Sequence, residues 1–145
     1  MTAIVFDLDG TLIDSVGDIH AALTQMLARA GHDPLGIDVV TSFLGKGSSD
    51  LVKRVLNHVG LPSDAASHTN YLSQFLDIYT SQPAKFTTVF DQVYEVLRDF
   101  QSSGIALGLC TNKPQSATNV VLEEFGLTAF FGSIVGGDRL PSRKP

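Results

Sequence analysis

The sequence has 145 residues, 43% hydrophobic and 17% charged, which suits one packed domain, or a small domain carrying an insert, and excludes wholesale disorder. Ten lysines and arginines against fifteen aspartates and glutamates leave a net charge of −5. Neither a nucleic-acid backbone nor an anionic membrane surface is therefore the expected partner, since both reward clustered positive charge. The single cysteine, Cys110, can close no internal disulfide and can build no two-cysteine metal knuckle. No apolar run approaches the roughly 20 residues of a membrane span, and Asp7 interrupts any signal-like start. A soluble, cytoplasmic protein is expected.

Ala3-Ile4-Val5-Phe6 is a continuous apolar run, as expected of a parallel strand buried on both faces. It ends at Asp7-Leu8-Asp9-Gly10-Thr11. Ser15 and Asp18 then make a capping pair for a helix whose apolar positions are Ile19, Leu23, Met26 and Leu27, stopped by Gly31. Leu51, Val52, Val55, Leu56 and Val59 keep a helical period up to Gly60, and Tyr71, Leu72, Phe75, Leu76 and Tyr79 do the same up to the break at Ser81-Gln82-Pro83. Residues 16–83 therefore read as almost entirely helical.

Asp91 can cap a helix carrying Val93, Val96, Leu97 and Phe100, closed by Gly104. Ile105 to Cys110 reads as a second buried strand. Pro114 takes a first-turn position in a helix running to Gly126, and Ser133-Ile134-Val135 is a third strand. Alternating strands and helices imply right-handed crossovers and a parallel α/β sheet. Three segments follow: 1–15 and 84–145 as a doubly wound, Rossmann-like core, and 16–83 as a helical domain inserted after strand one.

In such sheets ligands bind beyond the carboxyl ends of the strands. Asp7 and Asp9 follow strand one, Thr111 and Asn112 follow strand two, and Lys144 follows strand three. Two carboxylates, a hydroxyl, an amide and an ammonium can thus converge where helix N-termini favour anions, and the turn before Pro114 can offer its N–H groups to a phosphate. An EF-hand reading of the acidic loop fails, because its sixth and twelfth positions hold Leu12 and Asp18 rather than Gly and Glu. A cysteine phosphatase would need Arg six residues after Cys110, where Ser116 stands. His20, His32, His58 and His68 form no ligand pair.

Asp7-Leu8-Asp9-Gly10-Thr11-Leu12-Ile13-Asp14-Ser15 resembles the first motif of the haloacid dehalogenase superfamily. Leu109-Cys110-Thr111-Asn112-Lys113-Pro114 resembles its second, and Arg143-Lys144-Pro145 the start of its third. Within the helical insert, Phe43-Leu44-Gly45-Lys46-Gly47, Leu51 and Arg54 are similar to phosphoglycolate phosphatases. The resemblance implies a phosphomonoesterase acting on a small phosphorylated metabolite such as 2-phosphoglycolate. In it Asp7 is the nucleophile that becomes an aspartyl-phosphate, and Asp9 protonates the leaving alcohol and deprotonates the attacking water. Gly10 and Thr11 of the same loop bind the substrate, Thr111 and Asn112 hold phosphoryl oxygens, and Lys144 balances charge. Mg²⁺ takes the Asp7 carboxylate and the Asp9 carbonyl, and Lys46 and Arg54 are candidates for substrate selection by a helical cap.

The nearest alternative is a phosphosugar mutase of the same superfamily, although those relatives usually carry Val at the position of Thr11. A receiver-type signalling domain would lack the helical insert, and a dehalogenase would have no use for Asp9. Two departures from the pattern stand out. These 145 residues hold no counterpart of the family's fourth, acidic motif, so a three-stranded core, an inactive fragment and self-association through the Ile4-Val5-Phe6 edge are expected. Val89-Phe90-Asp91-Gln92-Val93 also stands where relatives usually have a Pro-Gly turn.

Overall fold

The computed structural model describes residues 2–82 and 84–142. β1 (Ala3–Phe6) forms from the first apolar run and stops at Asp7. The chain then doubles back, the Leu8 carbonyl accepting from the N–H groups of Thr11, Leu12 and Ile13 at 3.1, 2.9 and 3.2 Å. A two-residue strand, β2 (Ile13–Asp14), follows. α1 (Val16–Arg29) turns Ile19, Ala22, Leu23, Met26 and Leu27 inward at three- and four-residue spacing. α2 (Ile37–Ser42), α3 (Ser48–Val59) and α4 (Ala65–Ser81) complete a segment that holds no strand among its described residues. Gly60 ends α3 in the left-handed region at φ 77°. Asp64 opens α4 by accepting from the Ser67 N–H at 3.2 Å.

The chain returns through β3 (Thr88–Val89), which pairs antiparallel with β2, Val89 opposite Ile13. α5 (Val93–Ser102), β4 (Ala106–Cys110), α6 (Gln115–Glu124), a 3₁₀ turn (Thr128–Phe130) and β5 (Ser133–Val135) follow. The main sheet is parallel in the order β1–β4–β5, with Phe6 opposite Leu109 and Cys110 opposite Val135, so all three carboxyl ends lie at one edge. This is the expected α/β class.

Two apolar clusters hold the elements. One lies among α1–α4 and includes Leu23, Met26, Leu27, Val52, Leu56 and Phe75. The other gathers Leu8, Leu97, Leu109, Leu122, Leu127 and their neighbours around the parallel sheet. Ala117 of α6 belongs to the first cluster and Val121 and Leu122 to the second, so α6 contacts both. No helix among the described residues is long and apolar enough to cross a membrane.

Several local expectations are corrected. β1 is not buried on both faces, since Ala3 and Val5 are exposed, Val5 at 66%, although among the described residues it lies at the sheet's edge as expected. Ser15 occupies the N-cap position of α1 without a side-chain capping bond, and Asp18 turns away to bind residues 86 and 87. Gln92, not Asp91, is the N-cap of α5, in the left-handed region at φ 69°. Pro114 is the N-cap of α6 rather than its first residue. Helix α2 and the β2–β3 pair have no counterpart in the sequence reading; six and two residues are too short to establish a period.

Candidate active site

The loop after β1 presents two carboxylates to one cleft. Leu8 is buried in the sheet cluster with no exposed surface, whereas Asp7 and Asp9 on either side of it line a cleft of about 460 Å³. Gly10 reverses the chain at φ 80°, and its N–H donates to the Ile13 carbonyl at 2.8 Å. This closure brings Ser15 back onto Asp9, whose carboxylate accepts from the Ser15 hydroxyl.

β4 supplies the second side of the cleft. Thr111, Asn112 and Lys113 are all buried. The Thr111 N–H donates to the Val135 carbonyl at 3.0 Å, and its hydroxyl accepts from the Lys113 N–H at 3.1 Å. The Asn112 main chain lies between two glycines. A Cβ on Gly137 would stand 2.1 Å from the Asn112 carbonyl oxygen, and one on Gly47 would stand 2.8 Å from it. Both positions therefore require glycine, and Gly47 joins the helical segment to the second strand's turn. The N-terminus of α6 is not open to a phosphate at Gln115, whose N–H donates to Asp138 at 2.7 Å.

Lys113 is the residue that sequence reasoning missed. It is 5% exposed, and its ammonium donates to both carboxylate oxygens of Asp9, at 3.1 and 3.3 Å, and to the Tyr79 hydroxyl at 2.6 Å. The same Nζ lies 4.5 Å from the centre of the Tyr79 ring, which stacks on Phe75 of α4 at 5.7 Å. Burial alone would depress the lysine's pKa, but the adjoining Asp9 carboxylate and the tyrosine hydroxyl together raise it above the ordinary value. Burial raises the Tyr79 pKa, so the phenol stays protonated. A signal was present in the sequence, since Lys113 stands in the same post-strand turn as Thr111 and Asn112.

The cleft gathers Asp7, Asp9, Gly10, Thr111 and Asn112 of the expected residues, against an apolar wall that includes Leu44, Leu51 and Phe75 from the helices. Thr11 is exposed and is not among the lining residues. Gly45, Gly47 and Ser48 line the cleft, whereas Lys46 between them does not. Arg54 is also outside the lining, paired with Asp50 one turn earlier at 2.7 Å. Lys144 lies outside the described residues. For Mg²⁺, Asp7 and Asp9 provide the hard oxygen donors the ion prefers. They are only part of a shell: among the described residues no three acidic, histidine or cysteine side chains gather to hold a metal.

The model of the haloacid dehalogenase-like hydrolase family matches residues 4–145. A phosphoglycolate phosphatase of Cereibacter sphaeroides is 42% identical over 145 residues, covering 100% of this chain and 66% of that protein. A phosphoglycolate phosphatase of Caulobacter vibrioides is 36% identical, covering 98% of this chain and 60% of its own length. Among solved structures, a predicted phosphoglycolate phosphatase from Haemophilus somnus superposes with a TM-score of 0.87 at 26% identity, over 100% of this chain and 66% of that one. The chain thus spans about two thirds or less of the length of these relatives.

Proposed function

The chain belongs to the haloacid dehalogenase-like hydrolases, and from that premise we propose that it is the catalytic part of a cytoplasmic, Mg²⁺-dependent phosphomonoesterase acting on a small phosphate ester such as 2-phosphoglycolate. One observation carries the reading: Asp7, Asp9, Thr111 and Asn112, from two different strand ends, line the same cleft. The names of the relatives favour phosphoglycolate as the substrate.

Phosphate monoesters resist attack because their oxygens are negative, so the site must align a nucleophile and neutralise spread charge. An Asp7 carboxylate oxygen attacks phosphorus as the bond to the alcohol oxygen breaks, and protonated Asp9 gives its proton to that oxygen. Water then attacks the aspartyl-phosphate, Asp9 takes the water's proton, and phosphate leaves with Asp7 regenerated. The Thr111 hydroxyl and the Asn112 amide hold the phosphoryl oxygens. The Asp7 carboxylate and the Asp9 carbonyl would hold Mg²⁺, which would supply charge neutralisation. Residues 16–83 act as a cap whose apolar wall closes the cleft and keeps bulk water from the acyl phosphate.

The test is a panel of phosphate esters given to the full-length protein with and without Mg²⁺, with Asp7→Asn prepared in parallel. Turnover of small carboxylated phosphate esters, lost by at least about a hundredfold in Asp7→Asn, supports the reading; that loss corresponds to about 2.7 kcal/mol of transition-state stabilisation. An Asp7→Asn protein retaining more than that residual activity removes Asp7 as nucleophile.

A further inference from the structure

We infer that Lys113, held from the helical segment by Tyr79, is the positioning residue for the acid–base carboxylate Asp9. The inference rests on the phosphatase reading and adds a residue and a linkage to it. The geometry is specific in three respects. The Lys113 ammonium spans both oxygens of ionised Asp9 at 3.1 and 3.3 Å, and when Asp9 carries its proton the other oxygen still accepts from the same ammonium, so the contact orients the group in both forms. The lysine is 5% exposed, so little water competes for the contact. Its remaining partner, the Tyr79 hydroxyl at 2.6 Å, comes from α4 in the helical segment.

A buried ammonium held by one carboxylate, one hydroxyl and one ring face has little freedom to move. Asp9 itself has 29% of its side chain exposed and sits on a loop, where the Ser15 hydroxyl holds one oxygen only, so without the lysine its carboxylate could turn about that contact and out of line with the departing oxygen. General acid catalysis fails steeply with that kind of misplacement. Because the brace reaches α4, Asp9 is aligned only when the helical segment is seated over the sheet. Seating of the helices and readiness of the proton donor are therefore one event.

A group that protonates a leaving oxygen matters most when that oxygen is basic. The kcat/KM of full-length wild type, Asp9→Asn, Lys113→Met and Tyr79→Phe is compared on an alkyl phosphate and on 4-nitrophenyl phosphate, whose phenolate leaves without a proton. Lys113→Met should lose about a hundredfold on the alkyl ester and less than about fivefold on the aryl ester. Tyr79→Phe keeps the ring that stacks on Phe75 and should lose less, with the same bias toward the alkyl ester. If Asp9→Asn shows the bias while Lys113→Met and Tyr79→Phe lose equally on both esters, or not at all, the positioning role is wrong and the phosphatase reading stands. If Asp9→Asn shows no bias, Asp9 is not the acid, and the inference falls together with that part of the reading. Should Lys113→Met fail to fold, judged by its far-ultraviolet circular dichroism, Tyr79→Phe decides by the same criterion.

Discussion

Gln92 sits at φ 69°, the sole non-glycine residue with positive φ among the described residues, at the start of α5. A left-handed L-residue costs about 1–2 kcal/mol, and glycine relieves most of that strain while adding some unfolded-state entropy. Gln92→Gly should therefore stabilise the protein by about 1 kcal/mol, read as a rise in the midpoint of urea unfolding. An unchanged or lower midpoint would mean that the glutamine side chain contributes more than its backbone costs. Its position, where the family resemblance leads one to expect a Pro-Gly turn, is the kind of detail a sequence shows only as a missing residue. Lys113 illustrates the opposite limit. Its place after β4 was legible, but the contact that gives it meaning comes from Tyr79, 34 residues earlier, through a packing no local pattern encodes.

Among the elements, the β2–β3 pair and the contacts of Asp18 tie the outgoing and returning chains of the helical segment together. The Asp18 carboxylate, buried near the start of α1, accepts from the Phe86 N–H at 3.0 and 3.1 Å and from the Thr87 hydroxyl. Gly17 lets this approach occur, since a Cβ there would stand 2.7 Å from the Phe86 Cβ. Hydrogen bonds to a charged group are worth about 1.5–3 kcal/mol each, so Asp18→Ala should destabilise by about 3 kcal/mol, measured by urea unfolding. A loss below about 1 kcal/mol would show that the two chains are held by other contacts.

The cap of α4 behaves differently because it is exposed. The hydrogen bonds from Ser67 hold the Asp64 carboxyl below its ordinary value of 3.8. A depressed folded pKa gives stability that is present above the unfolded value and is lost as pH falls through the folded one. Asp64→Ala should therefore lower the Tm at neutral pH and leave it nearly unchanged well below pH 3.8, where both proteins lack the charge. A constant difference across that range would assign the effect to helix propensity rather than to the cap.

At the scale of the whole molecule, the long helices followed from hydrophobic periodicity and the parallel sheet from apolar runs alternating with them, because each must bury apolar surface. The short elements did not, because α2 and the β2–β3 pair owe their form to what they pack against. The burial of β1 also depended on neighbours. In the sheet described here β1 has β4 on one side only, and Val5 is 66% exposed. Such an edge offers unpaired N–H and carbonyl groups to another chain. The 145-residue polypeptide should therefore self-associate with rising concentration in sedimentation velocity, and Val5→Lys, a charge on the edge, should suppress this. A wild-type chain that stays monomeric at high concentration would show the edge to be already protected.

The central claim is that Asp7 carries the phosphoryl group, and trapping that group tests it most directly. The full-length protein is mixed with a radiolabelled phosphate ester, quenched in acid within its first turnover, and digested. One labelled peptide containing Asp7 is expected, released by hydroxylamine as an acyl phosphate is, and absent from Asp7→Asn. Label on any other residue, or turnover of the ester with no trapped phosphoryl group under conditions that preserve acyl phosphates, would contradict it.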